Sequence, residues 1–190
     1  MAPQAESLAH FAIDAKASLF TVQAFASGIV AVVAHSPKFA IRDIVGEMAF
    51  VPNTMLNASL RLTINVASLE IMDEVTRADR REIERIMFDE VLEKSIFPRI
   101  EYQSSHVAAS KTGENMYRVN VSGDLTLHGI TRGMGLDAQV VAGEETLKAQ
   151  GNFSLRQTDY GLKIASVAGG SLRLKEELKC AYFMVGRRRG

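Results

Sequence analysis

The stretch Leu60-Arg61-Leu62-Thr63-Ile64-Asn65-Val66 carries an apolar side chain at every second position. Successive side chains of a β-strand point to opposite faces of a sheet, so this alternation is typical of a strand with one buried and one solvated face. The stretch therefore predicts a half-buried strand whose leucines, isoleucine and valine face the interior.

The same alternation recurs along most of the chain. Further runs of this kind lie at 20–24, 44–50, 117–127, 134–140 and 147–155. Short links between such runs indicate an antiparallel meander. About eight strands can form either a sandwich or a closed barrel, and periodicity does not separate the two. A closed eight-stranded barrel has no exposed edges and has room for one small ligand.

Residues 76–94 break the strand pattern. Apolar residues there follow helical spacing amid dense charge, namely Ile83, Ile86, Met87 and Val91. Thr76, with Asp79 three residues later, fits a capping box, and Pro98 is expected to end the helix. The pattern predicts one charged α-helix around residues 76–94, with its charges on a solvated face rather than in a binding site.

Length and charge limit the possible functions. The chain has 190 residues, with 22 basic and 22 acidic side chains. This length is close to the prior of ~150 residues for one domain. We predict a single domain over residues 1–190, with 1–10 and 186–190 as flexible tails. A neutral chain has no general attraction to phosphate backbones, so we expect no nucleic-acid partner. The bases at 187–189 are expected to be an unpaired, solvated tail.

The first twenty residues lack the continuous apolar core of a secretory signal. Polar and charged side chains interrupt them, namely Glu6, His10, Asp14 and Lys16. Apolar runs fall short of the ~20 residues that span a bilayer. These features predict a cytoplasmic protein without stable membrane insertion.

The sequence offers little for catalysis or metal binding. His35, Ser36 and Asp43 lie close together in sequence, but there is no G-x-S-x-G elbow to present a nucleophile. No H-x-H or H-E-x-x-H spacing occurs, and Cys180 is the only cysteine. We therefore expect no enzymatic activity, no cofactor and no metal. The Gly133-Met134-Gly135 stretch is interpreted as a turn or bulge.

Three segments resemble the YceI-like family. The most specific is Gly123-Asp124-Leu125-Thr126-Leu127-His128-Gly129-Ile130-Thr131. The opening at 11–22 and the stretch Ser95-Ile96-Phe97-Pro98-Arg99-Ile100-Glu101-Tyr102 are also similar, in the same order and spacing. The resemblance covers about residues 11–185. It implies a mainly β protein, an antiparallel lipocalin-like barrel whose lumen holds a polyisoprenoid such as an isoprenoid quinone.

Candidate lining residues come from the apolar phase of successive strands. They are Phe20, Val22, Met48, Leu62, Ile64, Tyr102, Val119, Leu136, Phe153 and Leu172. An isoprenoid tail gains ~25 cal/mol per Å² of apolar area that it removes from water, so such a lining suits it. The alternative for each residue is simple core packing.

His128 is a further candidate. It is expected to lie at a strand end, where its ring bonds the backbone of a turn and Gly129 supplies an unusual backbone angle. The alternative is a contact between the ring and a quinone or head-group oxygen.

The expected function is binding, sequestration or transport of a polyisoprenoid or related long amphiphilic lipid. The alternative is a structural or protein-interaction module whose barrel is filled by its own side chains. A homodimer is compatible with either function, although the sequence shows no interface pattern.

Overall fold

The strands predicted by alternation are present in the computed structural model, which describes residues 7–27, 36–167 and 172–190. In the stretch that contains Leu60 and Val66 the alternate apolar side chains are buried, whereas Arg61 is exposed. The strands are β1 (Ala9–Ile13), β2 (Leu19–Ser27), β3 (Lys38–Ile41), β4 (Ile44–Phe50), β5 (Ser59–Asn65), β6 (Leu69–Ile71), β7 (Arg99–Gly113), β8 (Met116–Leu127), β9 (Ile130–Ala142), β10 (Thr146–Arg156), β11 (Ser166–Val167) and β12 (Leu172–Arg188).

The sheet closes on itself as an antiparallel barrel. Neighbours follow the order β1, β4, β5, β7, β8, β9, β10 and β12, and β12 then pairs with β1. In that closing ladder Phe11 lies opposite Arg188 and Ile13 opposite Gly186. The predicted mainly β, eight-stranded lipocalin-like barrel is confirmed, and the sandwich alternative is excluded.

One of the eight strand positions in the barrel is formed by two consecutive strands, β1 and β2, which are joined by a bend. β12 pairs with β2 along its first part and with β1 at its end. The bend between β1 and β2 is fixed by Asp14, whose carboxylate accepts hydrogen bonds from the backbone of Lys16 and Ala17, each at 3.1 Å. A hydrogen bond from Arg187 contributes most to lowering the pKa of Asp14. Similar breaks separate β3 from β4 and β5 from β6.

The predicted helix is shorter than expected. Thr76 caps it as predicted, accepting a hydrogen bond from the Asp79 backbone at 3.2 Å. The α-helix α1 covers only Arg77–Arg85, and a π-helical turn follows at Ile86–Val91. The chain leaves the helical path at Glu93, where φ is 44°, before it reaches Pro98.

This segment covers one end of the barrel. Met87, Phe88 and Leu92 are buried and belong to the apolar interior. Arg80 donates hydrogen bonds to the carbonyls of Ile71 and Asp73 at 3.2 and 3.4 Å, which ties α1 to the end of β6. The charged face of α1 is solvated, as expected, and the apolar residues after it pack against the barrel.

The strands extend into both predicted tails. β1 begins at Ala9, which is buried, and β12 continues to Arg188. The predicted tail boundaries at residues 10 and 186 therefore do not coincide with the ends of the barrel. The expectation of an unpaired basic end is wrong. Arg187 pairs with Asp14 at 3.0 Å, and Arg189 pairs with Glu47, because the antiparallel ladders bring these acids alongside.

The glycines at 133 and 135 do not form a turn or bulge. Both lie inside β9, where Gly133 pairs with Asp124 and Gly135 with Ser122 of β8. Their ladder with β8 is regular through this stretch, so the expectation of a turn or bulge is wrong. These glycines are relevant instead to the other edge of β9, which faces β10.

Candidate ligand-binding site

Nearly all of the predicted lining residues face the interior of the barrel. The buried ones are Phe20, Met48, Leu62, Ile64, Tyr102, Val119 and Leu136. Val22 and Phe153 are half-buried and pack against the same apolar cluster. Leu172 begins β12, and its side chain lies outside the described part of the structure. The alternation of apolar residues therefore identified the inner face of the sheet.

A narrow apolar cavity of ≈ 60 Å³ lies within this interior. Of the predicted residues, Met48, Val119 and Leu136 line it. Sequence reasoning missed its other main wall residues, which are Phe50, Met55, Leu60, Val121, Val140, Leu147, Ala149, Tyr182 and Met184. Most of these share a strand and an alternation phase with a predicted residue, so the same signal could have found them. Met55 lies in the connection between β4 and β5, where the two-residue alternation of strands does not apply.

Two tyrosines bring hydroxyl groups into the lumen. The Tyr102 hydroxyl donates to the carbonyl of Met134 at 3.2 Å, and the Tyr182 hydroxyl donates to that of Asp137 at 2.7 Å. Burial raises the pKa of each phenol to about 12, so both rings stay uncharged at neutral pH. The two rings reach β9 from opposite sides and bond its backbone.

Glycines make room for these rings. A Cβ on Gly123 would lie 2.8 Å from the Tyr102 hydroxyl oxygen, and one on Gly151 would lie 2.4 Å from that of Tyr182. The Gly151 position would also bring the Cβ within 2.2 Å of the Asp137 carbonyl oxygen. The interior therefore depends on small residues as well as on large apolar ones.

Gly151→Ala is expected to destabilise the barrel by ~1–3 kcal/mol, because an overpacked interior must shift both a ring and a backbone. Gly133→Ala is the matched control, since a Cβ there meets nothing within 4 Å. We expect the control to change the free energy of unfolding by less than ~0.5 kcal/mol or to stabilise slightly. Equilibrium urea unfolding measures both variants. Equal stability of the two would contradict the proposed packing around Gly151.

His128 lies in the turn between β8 and β9 and pairs with the segment after α1. Its Nε2 lies 2.8 Å from a carboxylate oxygen of Glu93, and its ring centroid lies 4.3 Å from that of Phe97. His128 itself has a positive φ of 52°, and Gly129 follows with 73°, so the strand-end turn and the unusual angle are as expected. The expected bond to the turn backbone is replaced by the pair with Glu93.

The residues weighed for catalysis and metal binding have other surroundings. Asp43 accepts a hydrogen bond from the Asn65 side chain at 3.0 Å, and His35 lies outside the described residues. Within residues 7–27, 36–167 and 172–190, no three His, Cys, Asp or Glu side chains are placed to hold a metal ion. Cys180 is buried, and this burial raises its pKa to about 12. None of the described helices combines the length and the apolar character needed to cross a bilayer.

These features define a class of protein, namely closed antiparallel barrels with an apolar, uncharged interior in the part that the structure describes. Residues 11–180 match the YceI-like domain, so the chain belongs to the YceI-like family. No curated protein sequence is similar enough to match the chain.

Solved structures are similar in fold. BcnA of Burkholderia cenocepacia shares 18% identity with a TM-score of 0.68, covering 91% of this chain and 98% of its own. A polyisoprenoid binding domain from Saccharophagus degradans, implicated in plant cell wall breakdown, shares 17% identity with a TM-score of 0.66, covering 96% and 100%. The YCEI protein of Campylobacter jejuni shares 14% identity with a TM-score of 0.58, covering 80% and 84%.

Proposed function

We propose that the barrel binds a polyisoprenoid or a similar long amphiphilic lipid in its lumen, and thereby sequesters or carries it. The observation that carries this proposal is the continuous apolar interior, built by alternate residues of all eight barrel positions. Membership of the YceI-like family supports it, as does the similar fold of a polyisoprenoid binding domain. An isoprenoid quinone is the proposed ligand, and the protein is proposed to act without catalysis.

The apolar wall supplies the affinity. Burying a methylene group from water is worth ~0.8 kcal/mol, so a long prenyl tail gains most of its binding free energy from its length. The neutral phenols of Tyr102 and Tyr182 place no charge against the tail. A quinone ring oxygen can accept hydrogen bonds but carries no charge, so it would bind at the polar margin of such a lumen.

Binding requires the interior to widen. The cavity of ≈ 60 Å³ is far smaller than the ~300–1,000 Å³ of typical ligand pockets. Three of its wall residues are methionines, Met48, Met55 and Met184. Methionine side chains are unbranched and adapt readily to different packing partners. We propose that these side chains rearrange to admit the tail.

The small cavity also favours a second candidate. A barrel filled by its own side chains would serve as a structural or protein-interaction module. The two candidates differ in whether the interior accepts a guest, which a binding experiment decides.

Organic-solvent extraction of the natively purified protein, followed by mass spectrometry, tests the proposal. We expect a co-purified isoprenoid lipid. After delipidation, the protein should take up ubiquinone-8 from phosphatidylcholine vesicles until the two are equimolar. The filled-barrel candidate instead predicts an extract without lipid and no uptake of ubiquinone-8, and that pair of results would overturn lipid binding.

A further inference from the structure

One seam of the barrel lacks backbone pairing along about half of its length. The ladder between β9 and β10 runs from Ala142 and Leu147 to Gln139 and Gln150, and it stops there. Neither strand frays beyond that point. β9 stays paired with β8 to Ile130, and β10 stays paired with β12 to Arg156. All of these residues belong to the described part of the chain, so the gap lies between two strands that are each held on their other side.

The gap is also bounded at its lower end, which is the end nearest Ile130 at the start of β9. Arg132 of β9 donates a hydrogen bond to the carbonyl of Asp159, which follows β10, and Gly161 lies against Ile130. Tyr182 bounds the opposite, upper corner of the gap, next to the paired part of the seam. There its hydroxyl donates a hydrogen bond to the Asp137 carbonyl at 2.7 Å. Gly151 still lies against the Asp137 carbonyl, so we call the unpaired stretch beyond this contact, between residues 133–136 and 153–156, the side window.

The side chains around the side window are consistent with an opening into the lumen. Lumen-facing residues beside it are only half-buried, namely Met134, Ala138, Phe153 and Leu155. Along the paired part of the same seam, Val140, Leu147 and Ala149 are 2–5% exposed. The apolar cavity reaches Ala138 and Tyr182, so it approaches the upper corner of the side window.

On its β9 side, the outer surface of the side window is formed by glycines. Gly133 and Gly135 occupy the outward positions of β9 beside it. A Cβ on Gly133 would meet nothing within 4 Å, and one on Gly135 would meet only the Val121 carbonyl oxygen at 4.0 Å. At these two positions, β9 itself therefore places no side chain over the outside of the wall.

Both ends of the barrel, in contrast, carry packed segments. Met87, Phe88 and Leu92 after α1 are buried at one end. At the other end, Met55 lines the cavity, and the Tyr117 hydroxyl donates to the Asn53 carbonyl at 3.0 Å. A long tail threaded past these described segments would have to displace their core contacts, whereas passage through the side window breaks no backbone ladder.

We propose that the side window is the portal through which an isoprenoid tail passes sideways between solvent or a membrane surface and the lumen. This inference rests on the proposed function. Lateral passage lets a flexible tail enter segment by segment while its polar head group stays in water. The β9–β10 seam then opens further without unfolding the rest of the barrel.

A crosslink across the side window tests the portal. Continuing the β9–β10 register sets Gly135 opposite Ser154, both outward. The double variant Gly135→Cys/Ser154→Cys is joined by a short bis-maleimide linker. The buried Cys180, with its raised pKa, does not compete for the reagent. The matched control is Ser110→Cys/Arg118→Cys, an exposed pair directly opposed in the β7–β8 ladder.

Uptake of ubiquinone-8 from phosphatidylcholine vesicles is followed over time. We expect crosslinking before loading to slow uptake about tenfold or more, and crosslinking after loading to slow release similarly, because it restrains the gating motion. The control crosslink should leave both rates unchanged. Unchanged rates in the crosslinked window variant would overturn the portal while leaving lipid binding intact. Failure of the wild type and of every uncrosslinked variant to take up ubiquinone-8 would overturn the proposed function itself, and the portal with it.

Discussion

Phe11→Ala is expected to destabilise the protein by ~3–5 kcal/mol, which for a domain of this size is a large part of its total stability. Phe11 is 2% exposed, and its ring stacks on Phe50 with centroids 5.1 Å apart. It lies in β1, which connects β4 to β12 and so closes the barrel. Removing the ring leaves a cavity at the closing ladder.

Equilibrium unfolding in urea, followed by far-UV circular dichroism, measures the effect. Leu8→Ala is the control, because Leu8 precedes the same strand and is 44% exposed. We expect the control to change the free energy of unfolding by less than ~0.5 kcal/mol. A Phe11→Ala variant as stable as the control would show that closure does not depend on this contact.

Val119→Trp is expected to abolish detectable ubiquinone-8 uptake while the barrel stays folded. Val119 is buried on β8 and lines the ≈ 60 Å³ cavity. An indole there occupies the space that a prenyl tail must enter. Overpacking should cost ~1–3 kcal/mol, which a folded domain with ordinary stability tolerates.

Arg118→Trp is the matched control, since Arg118 neighbours the same position but is exposed. It should bind ubiquinone-8 as the wild type does. The chain contains no tryptophan, so each variant also gains a single fluorophore that reports whether its indole is buried or solvated. Full uptake by a folded Val119→Trp protein would place the ligand elsewhere than in this cavity.

Alternation predicted the strands well wherever inward residues are large. Leu62 and Ile64 in β5, or Val119 and Val121 in β8, contrast sharply with their polar neighbours. β7 is different. From Gln103 to Gly113 most side chains are small or polar, and Val107 is the one larger apolar residue. A register shift after Ser104 also interrupts the phase, so that part of the strand gives almost no periodic signal.

The sequence predicted the partners of polar side chains less well, because these partners are distant along the chain. Arg187 pairs with Asp14 only because β12 lies beside the bend after β1, which no local pattern encodes. His128 pairs with Glu93 for the same reason. The position of the turn could be read from the Leu-His-Gly sequence, but the direction of the ring depends on how the segment after α1 packs.

The candidate site was predicted in part. The apolar phase identified which face of each strand is internal, but not which internal residues adjoin empty space. Nor could it show that the β9–β10 ladder ends at Gln139 and Gln150, because pairing depends on the geometry of two strands together. The glycines at 133 and 135 were visible, yet a glycine in a strand is equally typical of a bulge.

β12 pairs with β10, β2, β1 and the short β11, so the final strand joins four others. During protein synthesis, β1 and β2 emerge from the ribosome far ahead of the partner that they need. One edge of each stays unpaired until translation reaches β12, at 173–183 for β2 and at 186–188 for β1. Contacts so distant along the chain slow folding, and the waiting edges invite misassembly, so the nascent chain should be a natural client for chaperones that hold incomplete β proteins.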